Sequence, residues 1–125
     1  MTTAPQTIGE NRTLAEAQAV MHRNHCRHLP VLTGGRLVSI LTERDIALVE
    51  GLKDGDPRKV TVEEAMSQSA YSVDPSAALD DVVKEMASKK YGSAVVVQGG
   101  RVVGIFTTVD ACSALAELLH GRLAN

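Results

Sequence analysis

Two Thr-x-x-Asp quartets stand out among the residues whose types and spacing could do chemistry. They are Thr42-Glu43-Arg44-Asp45 and Thr107-Thr108-Val109-Asp110. Each follows an apolar run, Val38-Ser39-Ile40-Leu41 before the first and Val103-Gly104-Ile105-Phe106 before the second. An apolar strand that ends in a hydroxyl and feeds a helix presents hydroxyl and carboxylate together at its C-terminal rim. That rim is where α/β layers bind small ligands. The same spacing also describes a helix capping box, in which the carboxylate turns back on the backbone. Capping and binding are compatible.

The remaining chemistry-bearing residues point elsewhere. His22, His25, Cys26 and His28 have metal-ligand types, but no second Cys/His set or carboxylate-rich stretch accompanies them, so no metal site is expected. Gly34-Gly35 and Gly99-Gly100 are each followed by a strand pattern, which makes them hairpin turns and not phosphate loops. Met21 and Met86 read as gap-fillers of a core. No Ser/His/Asp or Cys/His arrangement sits in a context that signals nucleophilic catalysis, and no enzyme is expected.

Composition narrows the field further. The 125 residues form a compact unit large enough for a real core. Aromatics are 2% with no Trp, so the core must be aliphatic and stacking platforms for single-stranded nucleic acid are missing. A formal net charge of -2 provides no general drive toward DNA or an anionic membrane. No apolar run approaches the roughly 20 residues that span a bilayer. Met1 to Gly9 lacks a signal pattern. Cys26 and Cys112 form no C-x-x-C pair and read as free thiols, which suits a reducing cytoplasm.

The elements that must position the quartets come in two copies. Thr42 corresponds to Thr107 and Asp45 to Asp110 at the same separation of 65, and Leu14/Leu79, Met21/Met86, Val31/Val96 and Ile40/Ile105 keep it without a gap. Copy one starts with an extended piece at Thr7-Ile8. A capping box, Thr13 to Glu16, opens a helix through Leu14, Ala17 and Met21. Leu29-Pro30-Val31-Leu32 is a short strand, and Pro30 assigns it to an edge or a strand start. Arg36 to Leu41 returns, and Glu43 to Leu52 is a helix. Lys53 to Pro57 is rich in turn residues. Thr61 to Glu64 opens a short helix. Copy two repeats the order with Ser72-Val73, a helix on Leu79, Val82, Val83 and Met86, a hairpin over Ser93–Gln98 and Arg101–Thr107, and a last helix from Thr108 to about Leu119. The expected architecture is α/β (α+β), two β-α-β-β-α units about a pseudo-twofold axis. Residues 1–52 are the first unit, 53–65 a linker with a short helix, and 66–125 the second.

This ordered set resembles a tandem pair of CBS domains, named after cystathionine β-synthase, forming a Bateman module. The resemblance rests on Val73-x-Pro75, Arg27-His28-Leu29-Pro30-Val31, both Gly-Arg hairpins, Val103-Gly104-Ile105, the lead-in Val62-Glu63-Glu64-Ala65-Met66-Ser67 and both Thr-x-x-Asp quartets. It implies an adenosine-containing ligand such as AMP, ADP or ATP, or S-adenosylmethionine or NAD. Asp45 and Asp110 would accept from the ribose hydroxyls, since a carboxylate can serve a vicinal diol and charge-assisted bonds are strong. Thr42 and Thr107 would reach ribose or the first phosphate. Arg27, His28 and Arg44 would meet phosphate, helped by a helix start. The backbone around Ile8 and Val73, with Leu29, Pro30 and Ala94, would line the adenine slots.

The two copies are not equal. Ser39 stands opposite Gly104, Glu10 opposite Pro75, Arg44 opposite Val109, and Arg27-His28 opposite Gly92-Ser93. Unequal sites are expected. The functional expectation is a cytoplasmic sensor that binds an adenine nucleotide and modulates an effector protein. The alternative is a dimerising scaffold with vestigial pockets, favoured by Ser39 and Glu10. A hydrolase working through Asp45 or Asp110 lacks a paired base, nucleophile and metal set. The last helix carries Val109, Cys112, Ala116 and Leu119 on one stripe, with Leu115 and Leu118 beside it. With Ile46-Ala47-Leu48-Val49 it predicts a homodimer.

Overall fold

The computed structural model describes residues 1–52, 54–66 and 70–124, with side chains as far as Gly121. Lys53, Ser67 and Asn125, which bound expected segments, lie outside the described residues. The elements run β1 (Thr2–Thr3), β2 (Ile8–Gly9), α1 (Leu14–Asn24), β3 (His28–Thr33), β4 (Arg36–Thr42), α2 (Glu43–Glu50), α3 (Val62–Ala65), β5 (Ser72–Val73), α4 (Leu79–Lys89), β6 (Ser93–Gln98), β7 (Arg101–Thr107) and α5 (Thr108–Ala124). The α/β class and the repeated order match the expectation. No described helix is long and apolar enough to cross a membrane.

Each repeat is built by the same local devices. Gly34, Gly35, Gly99 and Gly100 all sit at positive φ, between 57° and 81°. Two left-handed residues in succession make a turn whose twist matches the paired strands, which is why glycine closes both hairpins. Thr13 caps α1, accepting from the Glu16 amide. Both first helices end on a left-handed residue, His25 at φ 52° and Lys90 at φ 61°. Register shifts occur at Val31/Leu32 and at Val96/Val97, again at corresponding positions. The two hairpins therefore share the position of this irregularity.

Pro30 does not sit at a sheet edge, because β3 lies between β2 and β4. It is tolerated because β2 pairs only with Val31 and Leu32. At Pro30 the strand has a ladder neighbour on the β4 side alone.

Two exchanges bind the repeats together. β1 does not join the sheet of its own repeat. It pairs antiparallel with β7, Thr2 opposite Ile105 and Thr3 opposite Gly104. In the other direction α3 packs on repeat one. Its Val62 is fully buried in the core of Ile8, Leu14, Ala17, Met21, Leu29, Val31, Leu41 and Ile46. The carbonyls of Val60 and Pro57 accept from the first amides of α1, Leu14 and Ala15. In return the amides of Val62 and Glu63 donate to the carbonyls of Arg12 and Glu10. Repeat two has a smaller core of Val82, Met86, Ala94 and Phe106, flanked by the stacked rings of Tyr71 and Tyr91 at 5.0 Å.

The internal repeat predicts that Leu79 is as buried as Leu14, and it is not. Leu14 has no exposed surface, while Leu79 is 53% exposed. Nothing among the described residues covers repeat two as α3 covers repeat one. The last helix also runs further than about Leu119, to Ala124.

Candidate functional site

Both quartets form the expected strand-to-helix junctions. Thr42 is the N-cap of α2. The Asp45 amide donates to Thr42 Oγ1 at 3.1 Å, and the Thr42 amide donates to Asp45 Oδ2 at 2.9 Å. At the second junction the Asp110 amide donates to Thr107 Oγ1 at 3.3 Å and the Thr107 amide to Asp110 Oδ2 at 2.8 Å. Thr107 Oγ1 also donates to Asp110 Oδ2 at 3.2 Å. Each carboxylate is held by its own helix start, so one oxygen is committed to capping and the group is preorganised. Asp110 Oδ1 lies 4.0 Å from the Met1 amino group. Asp45 is buried, and Asp110 is half-buried.

A cavity of about 720 Å³ opens beside Asp110. Val73 and Pro75 of the β5 region, Val96 of β6, Phe106 of β7, and Met1 and Thr3 of the exchanged strand line this end. The exchange therefore completes the pocket with residues from the far end of the chain.

The other candidate residues are distributed unevenly. Leu29, Pro30 and Ala94 are fully buried and Ile8 nearly so. Val73 is half-buried and faces the cavity. His28 points across to repeat two: a side chain added at Gly92 would meet its Nε2 at 3.0 Å. Burial holds the His28 imidazole below its ordinary pKa, assisted by the Arg27 charge and opposed by Asp45. Arg27 turns to the helical side, where its Nε lies 3.5 Å from Glu43 Oε2. Arg44 is exposed on the first turn of α2.

His22, His25, Cys26 and Arg27 line a separate cavity of about 540 Å³ between α1 and α2, with Glu43 and Glu50 opposite. His28 is not part of it. Among the described residues no three His, Cys, Asp or Glu side chains gather closely enough to hold a metal ion. Burial pushes the Cys26 thiol up, away from the thiolate a nucleophile needs.

One feature escaped sequence reasoning, the role of Thr2-Thr3 and Met1 at the Asp110 pocket. A hint was available in Gly104. A Cβ there would meet Met1 Sδ at 3.1 Å and the Thr2 carbonyl at 3.3 Å, so the glycine marks a close strand approach.

The fold recurs in known proteins. The family model described as CBS domain matches residues 1–50 and 62–117. The CBS domain-containing protein YhcV of Bacillus subtilis is 33% identical over the whole chain, which covers 84% of that protein. Hypoxic response protein 1 of Mycobacterium tuberculosis is 33% identical over 88% of this chain and 78% of its own length. A solved structure of that response protein, with two coordinated zinc ions, superimposes with a TM-score of 0.76 at 30% identity, covering 90% of this chain and 92% of the other. The CBS domain pair of protein MJ0100, in complex with 5′-methylthioadenosine and S-adenosyl-L-methionine, superimposes with a TM-score of 0.78 at 27% identity over 97% of this chain and 93% of the other. By matched family segments, repeat architecture and relatives of near-equal span, the chain belongs to the CBS domain family as a tandem pair.

Proposed function

We propose that this chain is a regulatory module that binds an adenosine-containing ligand, of the AMP, ADP or ATP type, between its repeats and so modulates a separate effector protein. The observation that carries the reading is the cavity at Asp110, where a preorganised carboxylate and threonine sit at a strand's C-terminal rim beside apolar walls. The adenosine compounds named for the MJ0100 pair support the ligand class. Asp110 takes the ribose in repeat two and Asp45 in repeat one. His28 and Arg44 supply phosphate contacts in repeat one only. Binding that favours one arrangement of the repeats, or of two subunits, shifts the population that the effector meets. The role is binding and not turnover, and it belongs in the cytoplasm.

The module acts as a homodimer. On α5, Val109 is 68% exposed, Leu115 54%, Leu118 60% and Leu119 48%, and on α2 Leu48 is 65% exposed. A second copy offers each helix an apolar cover. Leu115→Glu with Leu118→Glu should leave a monomer by light scattering.

Calorimetry with AMP, ADP, ATP, adenosine and S-adenosylmethionine tests the ligand. Asp110→Ala should weaken binding by roughly 10-fold to 100-fold, the loss of one charged hydrogen-bond acceptor. Absence of heat with every compound at millimolar concentration would remove the sensor reading. The scaffold reading would then stand, favoured by the full burial of Leu29, Pro30 and Ala94.

A further inference from the structure

The two repeats carry the same helix pair with opposite surface chemistry. In repeat one, α1 and α2 flank the cavity lined by Gln18, His22, His25, Arg27, Glu43 and Glu50. These polar groups answer one another across the cleft. Gln18 Nε2 donates to Glu50 Oε1 at 3.0 Å, and the Arg27–Glu43 ion pair spans the other end. A face of this kind is at home in water and needs no cover.

The separation of 65 carries each position to α4 and α5 of repeat two. Gln18 corresponds to Val83, His22 to Ala87, Arg27 to Gly92, Glu43 to Thr108, Ala47 to Cys112 and Glu50 to Leu115. His25 corresponds to Lys90, the one charge left at these positions. Cys112, Leu115 and, one turn on, Leu119 are exposed. This face is not a wall of the cavity at Asp110, which takes Asp110, Ser113, Ala114 and Glu117 from α5. At about 100° per residue, Cys112, Leu115 and Leu119 fall within about 60° of one another, on the side of the helix turned from Ser113 and Glu117. Leu48 of α2 corresponds to Ser113 and so does not belong to the cleft face of repeat one.

We propose that the second copy docks repeat two on repeat two, α4 and α5 of one chain against α4 and α5 of the other about a twofold axis. This pairing rests on the homodimer reading and fixes which faces meet. A twofold contact brings the same patch together from both sides, so leucine meets leucine and each copy covers the other. Cys112 and Ala116 are small and one turn apart, which lets two α5 helices approach closely. The opposite pairing, repeat two on the partner's repeat one, would set Leu115 and Leu119 against Gln18, Glu43 and Glu50. It would strip water from both carboxylates and offer them no donor in return.

Charge at position 115 distinguishes the two pairings. Sedimentation of the full chain should show a dimer at tens of micromolar. Leu115→Glu and Leu115→Lys should each weaken it by roughly 10-fold or more, as loss of a central apolar contact does. An equimolar mixture of the two variants should recover the dimer, because opposite charges then meet across the axis. Glu50→Lys, at the matching place in repeat one, should leave association unchanged. The two cysteines report independently, on an interface that keeps its leucines. A short bis-maleimide should join Cys112 to the partner's Cys112, so the covalent dimer should survive Cys26→Ala and disappear in Cys112→Ala. Self-association of Leu115→Lys alone, through Glu43 and Glu50, or a covalent dimer lost from both cysteine variants, would overturn the pairing and leave the homodimer standing. A wild type that sediments as a monomer would overturn both.

Discussion

Replacing Leu14 and Leu79 with alanine, one at a time, compares two positions that the sequence makes equivalent and the fold does not. Both are the first residue of an 11-residue helix, so the change in helix propensity cancels between them. Each substitution removes three carbons, about 2.4 kcal/mol of transfer free energy at full burial. Leu14 is fully buried beneath α3, so the residual cavity adds to that figure and the loss should reach about 3–4 kcal/mol. Leu79 is 53% exposed, so about half the transfer value applies and no closed cavity forms. Its loss should be about 1 kcal/mol. Urea denaturation followed by circular dichroism measures both. At a slope of about 1.5–2 kcal/mol per molar, the midpoints of the two variants should differ by about 1–2 M. Equal midpoints would refute the argument, because they would mean that α3 does not protect Leu14 or that something protects Leu79.

Three further outcomes follow from described contacts. Asp45→Ala removes the acceptor of the Thr42 amide and should cost about 0.5–2 kcal/mol by thermal melting, whereas Asp45→Asn should lose less. His28 has a folded pKa below its ordinary 6.5, so the unfolded chain takes up a proton first as pH falls. The stability it confers is whole above about pH 6.5 and declines below it, and His28→Gln should flatten that decline in melts between pH 7 and 5. Gly104→Val should push Met1 and Thr2 aside and speed exchange of the Ala4 amide, which donates to the Val103 carbonyl, while leaving the β6–β7 hairpin protected.

Much of this was legible because it is local and doubled. The paired glycines, the capping boxes and the constant separation each rest on neighbours within a few residues, and each copy checks the other. The Thr-x-x-Asp junctions could be read as caps and as binding groups, and their geometry accommodates both. The exchanges were not legible. A strand of two residues has no period, so nothing in Thr2-Thr3 points to Ile105 and Gly104 as its partners. Val62 reads as the first turn of a linker helix, and only packing reveals it as a core residue. Leu79 carries the pattern of a buried position, but pattern specifies a face and not whether a cover exists.

The pairing of β1 with β7 also sets the order in which the molecule can be completed. A ribosome adds roughly 5–20 residues per second, so the partner of Thr2 appears some 5–20 seconds after Thr2 itself. Repeat one and α3 lie within the first 65 residues and can close during synthesis. The edge of the second sheet cannot. The opening segment stays unpaired until the last hairpin emerges, and its docking is then a late step with a long loop to close. The pocket at Asp110, which takes Met1 and Thr3 from that segment, comes into being only once the chain has been made as far as Glu117.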